Sequence, residues 1–161
     1  LDPPPMHAMV LVTSLGGLVA LLVIAVWGDL TRFTIPNWLN ALIALGAIPF
    51  WWASGLDLGP DVALQLAIAA GLFWLFAIAF ALGAMGGGDV KMIAAVALWL
   101  PYPALMVLLV VMSLAGGALA IALAIRHRLA RRQERLEVPY GVAIAFGGLW
   151  LISERILNQF G

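Results

Sequence analysis

Charge is scarce in this sequence. Of its 161 residues only 10% are Asp, Glu, Lys or Arg, divided into eight acidic and eight basic, whereas a soluble domain carries about 25%. Sixteen charges cannot give a folded chain of this size a polar surface, which excludes an ordinary water-soluble globule. The net charge of zero supplies no basic footprint for nucleic acid, and no nucleic-acid partner is expected. Cysteine is absent, so disulfides, thiolate metal sites and a cysteine nucleophile are excluded; neither a metal nor a cofactor is expected. The opening "LDPPPMHAMV" has no basic n-region and no small-residue cleavage site, so it does not read as a signal peptide. Leu1 is not an initiator, and residues 1–5 are expected to be a remnant or disordered lead-in ahead of Met6. Repeats, low-complexity tracts and linkers are also missing, and a single domain over 1–161 accounts for the chain.

What the chain does have is hydrophobic length, with 65% hydrophobic residues. The runs Ala8–Trp27, Trp38–Ala53, Val62–Gly83 and Ala104–Ile125 approach or exceed the ~20 residues that cross a bilayer, and Val138–Leu157 is a fifth. They are apolar all round, as helices surrounded by lipid are. Between Val90 and Ile125 lies "PYP" at Pro101–Pro103. One helix over that segment would extend ~54 Å, too long for one span, and Pro103 has no amide to donate. Two helices are therefore predicted, a short one from Val90 to about Leu100 and a full one from Ala104. The result is an all-α polytopic membrane protein of about six transmembrane helices, the fourth short. A helix of ~16 Å reaches only about halfway through the hydrocarbon, so the glycine loop before it should dip into the membrane beside protein or water.

Six spans put three connections on one side, Gly28–Pro36, Ala84–Asp89 and the basic loop 126–137. Seven of the eight basic residues fall in or just beside them (Arg32, Lys91, Arg126, Arg128, Arg131, Arg132 and Arg135), while "SGLDLGPD" on the other side holds Asp57 and Asp61 and no basic residue. The positive-inside rule makes the three-connection face cytoplasmic and places both termini outside. Arg155, late in the last span, is the exception.

Two carboxylates share that face. Asp29 closes the first span in "VWGDLTRFTIPNWLN", and Asp89 opens the fourth behind "GGGD". An intramembrane carboxylate is costly and is read as functional by default. A close pair shares one proton, so that one member serves as acid and the other as base, and it titrates as a coupled pair. Such a dyad can activate water against an amide.

Each of these residues also has a plainer reading. Asp89 is placed to cap the short helix, and Asp29 to snorkel and pair with Arg32 at i+3. Gly86, Gly87 and Gly88 either turn the chain or, lacking Cβ, admit an extended peptide beside Asp89. Pro36 suits the first turn of the second helix. Asn37 is a cap or a hydrogen-bonding group near the dyad. Lys91, off the Asp89 face, is expected to anchor at the interface, and His127 to be solvated. Tyr140 is an interfacial belt residue or, with Gly141, a wall of the cavity. Gly116–Gly117 and Gly147–Gly148 read as helix-packing surfaces.

Together "D-x5-IPN" at Asp29–Asn37, "GGGD" at Gly86–Asp89 and "PYGVAIAFGG" at Pro139–Gly148 resemble the type IV prepilin peptidases, membrane aspartic proteases of the GxGD type. Order, spacing and side agree over nearly the whole chain. The resemblance implies that Asp29 and Asp89 are the catalytic pair, with Pro36, Asn37 and the glycines as supports. It implies a prepilin or pseudopilin substrate whose short basic leader is removed, commonly after a glycine, at the cytoplasmic face of a bacterial inner membrane. The larger members carry a cysteine-bearing insert between the first two helices and an associated N-methyltransferase activity. This chain has no such insert and is similar to the minimal peptidases of tight-adherence (Flp) pilus systems. Two rival readings use the same residues: a small transporter in which the carboxylates carry protons or cations, and a non-catalytic pilus assembly factor.

Overall fold

The structure is a computed structural model that describes residues 5–57, 59–129 and 139–160, with side chains described except at 126–129 and 155–160. Six helices follow one another: α1 (Met6–Arg32), α2 (Asn37–Ala53), α3 (Pro60–Ala81), α4 (Gly87–Ala97), α5 (Tyr102–Leu129) and α6 (Tyr140–Phe160). No strand occurs among the described residues. Residues 1–4, the basic side chains of the 126–137 stretch and the side chain of Arg155 lie outside the described set.

Three helical stretches are long and apolar enough to cross a bilayer, Met6–Arg32, Pro60–Ala81 and Tyr102–Ile125. The others are shorter: α2 has 17 residues, α4 has 11, and the apolar stretch described in α6 is Tyr140–Glu154. Trp27, Trp74 and Leu114 are each at least 70% exposed, a surface suited to lipid and unsuited to water. The protein is an all-helical, multi-pass membrane protein.

The short α4 is the centre of the bundle. It packs on α2, α3 and α6, while α1 packs on α2 and α6, and α5 on α6. From Met92 to Leu100 every residue except Ala94 is buried. A helix this short leaves its last carbonyls at membrane depth, where unpaired backbone is expensive. Side chains from its neighbours supply the partners. Gln65 Nε2 donates to the carbonyls of Ala97, Leu98 and Leu100 at 3.3, 3.1 and 2.8 Å. Trp51 Nε1 donates to Leu98 O at 2.7 Å. In return Trp99 Nε1 donates to Ile43 O at 2.8 Å, its ring lying where a Cβ on Gly46 would come within 2.9 Å. Replacing Gln65 by Leu should lower the unfolding free energy in detergent by about 1–3 kcal/mol, the penalty for stranding buried acceptors. Thermal unfolding of the purified variant measures it.

Some boundaries differ from the sequence expectation. α4 begins at Gly87 rather than Val90, because glycine backbone without side chains packs into the first turn. It ends in i→i+3 bonds from Leu98, Trp99 and Leu100 rather than continuing to Leu100 as α-helix. Pro36 lies one residue ahead of α2, with extended backbone at φ −70° and ψ 149°. Its carbonyl, not its ring nitrogen, is the contribution, accepting from Leu39 N and Asn40 N. Pro103 falls inside the first turn of α5, where its missing donor costs nothing.

Candidate active site

The ends of α1, α4 and α6 converge. α1 stops at Arg32 because Phe33 takes the left-handed conformation at φ 50° and returns its N–H to Asp29 O at 3.0 Å. The chain then doubles back so tightly that a Cβ on Gly28 would lie 3.2 Å from Thr34 O. This turn buries Ile35 at 4% exposure and leaves Asp29 at 3%.

Asp29 is thus not a snorkelling helix end. Its Oδ2 accepts from the Val142 N–H of α6 at 3.1 Å, and the Gly141 N–H also faces it. The first amides of a helix have no partners within it, so Asp29 caps α6 from another helix. Asp89, 5% exposed, sits in the first turn of α4 rather than at its N-cap, which is Gly86. The amides of Gly86 and Gly141 face its carboxylate, and the charges of Asp29 and Asp89 act on each other directly. The Gly141 N–H thus faces both carboxylates.

The glycines are demanded by contact, not by dihedral angle. Among the described residues, only Gly55 and Gly83 are glycines with positive φ. A Cβ on Gly141 would meet Asp29 Oδ2 at 2.7 Å and Ile35 Cδ1 at 2.5 Å. One on Gly86 would meet Asp89 Oδ2 at 2.9 Å, and one on Gly88 the Ile35 carbonyl oxygen at 3.1 Å. Gly87 faces the Phe80 ring, 3.3 Å from the Cβ position. Gly88 is covered by Ile35 and is not an open edge.

The remaining candidates divide. Asn37 is no cap: its Oδ1 accepts from Lys91 Nζ at 2.8 Å, so Lys91 ties α4 to α2 rather than standing alone as an anchor. Tyr140 does not wall the dyad; its ring lies on α5, 3.0 Å from where Gly116 would carry a Cβ. Asn40 went unremarked in the sequence although it interrupts an apolar run. It is 5% exposed, its Nδ2 donates to Gly88 O at 3.1 Å, and its Oδ1 has no partner. Among the described residues, no three His, Asp or Glu side chains gather as a metal would require.

Two buried carboxylates brought together at converging helix ends are an arrangement for acid–base work at a single small molecule or bond. Comparison with known proteins decides the kinship. Residues 17–121 match the model of the type IV leader peptidase family. The chain belongs to that family. The matched region takes in Asp29 and Asp89 but stops before α6, whose first turn completes the site. Curated relatives include the prepilin leader peptidase/N-methyltransferases of Aeromonas hydrophila and Aeromonas salmonicida (strain A449), each 30% identical over 153 residues, covering 89% of this chain and 51% of theirs. The chain spans about half the length of the relatives it matches. No solved structure matches it.

Proposed function

We propose that the protein is a membrane aspartic endopeptidase that removes short leaders from prepilin-like substrates, with Asp29 and Asp89 as its catalytic pair. The observation that carries the reading is the burial of two carboxylates where the helix ends meet, Asp29 at 3% exposure and accepting from the Val142 amide at 3.1 Å, and Asp89 at 5%. In the reaction one carboxylate takes a proton from water as the oxygen adds to the scissile carbonyl carbon. The other, protonated, gives its proton to the carbonyl oxygen. Collapse of the resulting diol breaks the C–N bond: the proton taken from water passes to the amine, and a diol hydroxyl returns its proton to the second carboxylate. Fixed N–H donors at the carboxylates keep them in place through the exchange. A carboxylate pair serves hydrolysis, and hydrolysis alone is proposed. The concentration of basic residues on the dyad side supports a cytoplasmic site, with both termini outside, in a bacterial inner membrane.

The test is purified protein in detergent with a synthetic peptide made of a short basic leader, a glycine and an apolar helix. A single cut after the glycine, read by mass spectrometry, is the expected result. An uncut peptide, together with aspartate-dependent proton flux in liposomes, would replace the peptidase with a transporter.

A further inference from the structure

Two lone amides reach the backbone of α4 from neighbouring helices, and they meet it at opposite ends. Gln65 bonds the carbonyls of Ala97, Leu98 and Leu100 at the C-terminal end, where a helix has no partners of its own to offer. Asn40, near the start of α2, donates through Nδ2 to Gly88 O at 3.1 Å. That carbonyl lies in the first turn of α4, where the helical pattern already gives it the amide of residue 92. Backbone satisfaction therefore does not require the Asn40 bond. Nor does stability account for it. Asn40 is 5% exposed and its Oδ1 has no partner, and stranding a buried acceptor costs at least as much as a neutral hydrogen bond contributes.

What the bond fixes is position. The peptide unit joining Gly88 to Asp89 is planar, so a donor that holds Gly88 O also holds the amide nitrogen and Cα of Asp89. On Gly88 itself the α1–α2 connection closes in: a Cβ there would meet Ile35 O at 3.1 Å and Ile35 N at 3.3 Å. Asn40 and Ile35 belong to the hairpin that carries Asp29, in which α1 turns into α2 and packs on it. We propose that Asn40 is a positioning residue of the carboxylate pair, its bond to Gly88 O setting where Asp89 stands relative to Asp29. The proposal rests on the peptidase reading and adds to it the group that registers α4 against the α1–α2 hairpin. Asn40 acts through the Gly88–Asp89 peptide and does not itself meet the substrate.

Asn40→Leu removes both the bond and the stranded acceptor. It should lower kcat for the synthetic peptide about tenfold or more, as displacement of a reacting group does. KM should stay within a factor of about two, and the melting temperature should not fall. Asn40→Ala, which removes the donor without adding bulk, should show the same loss in kcat. Gln65→Leu is the counterpart: it should melt lower and keep kcat within a factor of about two of the parent. Parental kcat in both Asn40 variants, or a kcat loss in Gln65→Leu matching theirs, would overturn the proposal, because the bond would then be one more structural contact.

A second readout needs no cleavage. The chain has no native cysteine, so Asp89→Cys carries a unique thiol at a position 5% exposed. Adding Asn40→Leu should speed its labelling by a water-soluble maleimide about tenfold, because a segment released from its anchor opens more often. An unchanged labelling rate would overturn the proposal. The two readings separate on this measurement. If the parent cuts no peptide, the peptidase reading falls, while the labelling rate still decides whether Asn40 holds position 89. If the parent cuts, and neither kcat nor labelling responds to residue 40, the positioning role falls alone.

Discussion

Asp29→Asn and Asp89→Asn should each insert and fold, and each should lose at least 10³-fold in cleavage rate, the scale on which a group that acts as a unit with its partner is lost. Asparagine keeps the shape and an acceptor for the Val142 and Gly141 amides, so the helix ends stay docked. It cannot exchange a proton with water or substrate. Among the described residues no other acid is placed to substitute: Asp57 lies in the connection between α2 and α3 and Asp61 in the first turn of α3, at the other end of the bundle. Replacement also removes the repulsion between the two carboxylates, so the variants should be no less stable than the parent in a thermal melt. Cleavage rate and melting temperature measured on the same preparations check both halves. Near-parental cleavage by either variant would take that aspartate out of the chemistry.

Gly141→Ala carries the second large effect. Its methyl would stand 2.7 Å from Asp29 Oδ2 and 2.5 Å from Ile35 Cδ1, closer than real Cβ atoms come. Ile35 presents the end of a flexible side chain and can yield. The Asp29 carboxylate cannot yield without leaving the Val142 amide. Displacements of about 1 Å in a reacting group cost on the order of 100-fold in rate, and that is the loss expected. Gly86→Ala should behave alike through Asp89 Oδ2, 2.9 Å away. Gly117→Ala, with nothing within 4 Å, is the control and should cut normally. Cleavage rates of the three variants test the ordering. Parental rates for both Gly141→Ala and Gly86→Ala would mean that carboxylate placement does not limit the reaction.

The sequence carried the helices well, for physical reasons. Apolar length and "PYP" mark spans and a break, and the sixfold count places Asp29, "GGGD" and "PYG" at one end, where the structure indeed gathers them. The purpose of the glycines was less legible. Composition suggests conformational freedom or room for a peptide, yet Gly86 has φ −73° and the space beside Gly88 is taken by Ile35. The demand at Gly88 comes from Ile35, about fifty positions away, which no local pattern reveals. Lys91 and Asn37 are likewise 54 residues apart and were read singly for the same reason. Asn40 and Gln65 did leave a signal. Each is a lone amide in an apolar run, and membrane depth makes such a group expensive enough to require a partner.

The capping of α6 by Asp29 bears on when the protein becomes competent during its synthesis. Both aspartates are in the chain once α4 has been made, yet the Val142 amide that holds Asp29 and the Gly141 amide that faces both come after the arginine-rich stretch 126–135. A nascent chain ending at α5 would carry two mutually repelling acids with no shared donor between them. The sixth helix thus works as a latch: the surroundings of both carboxylates are complete only once its first turn has been made.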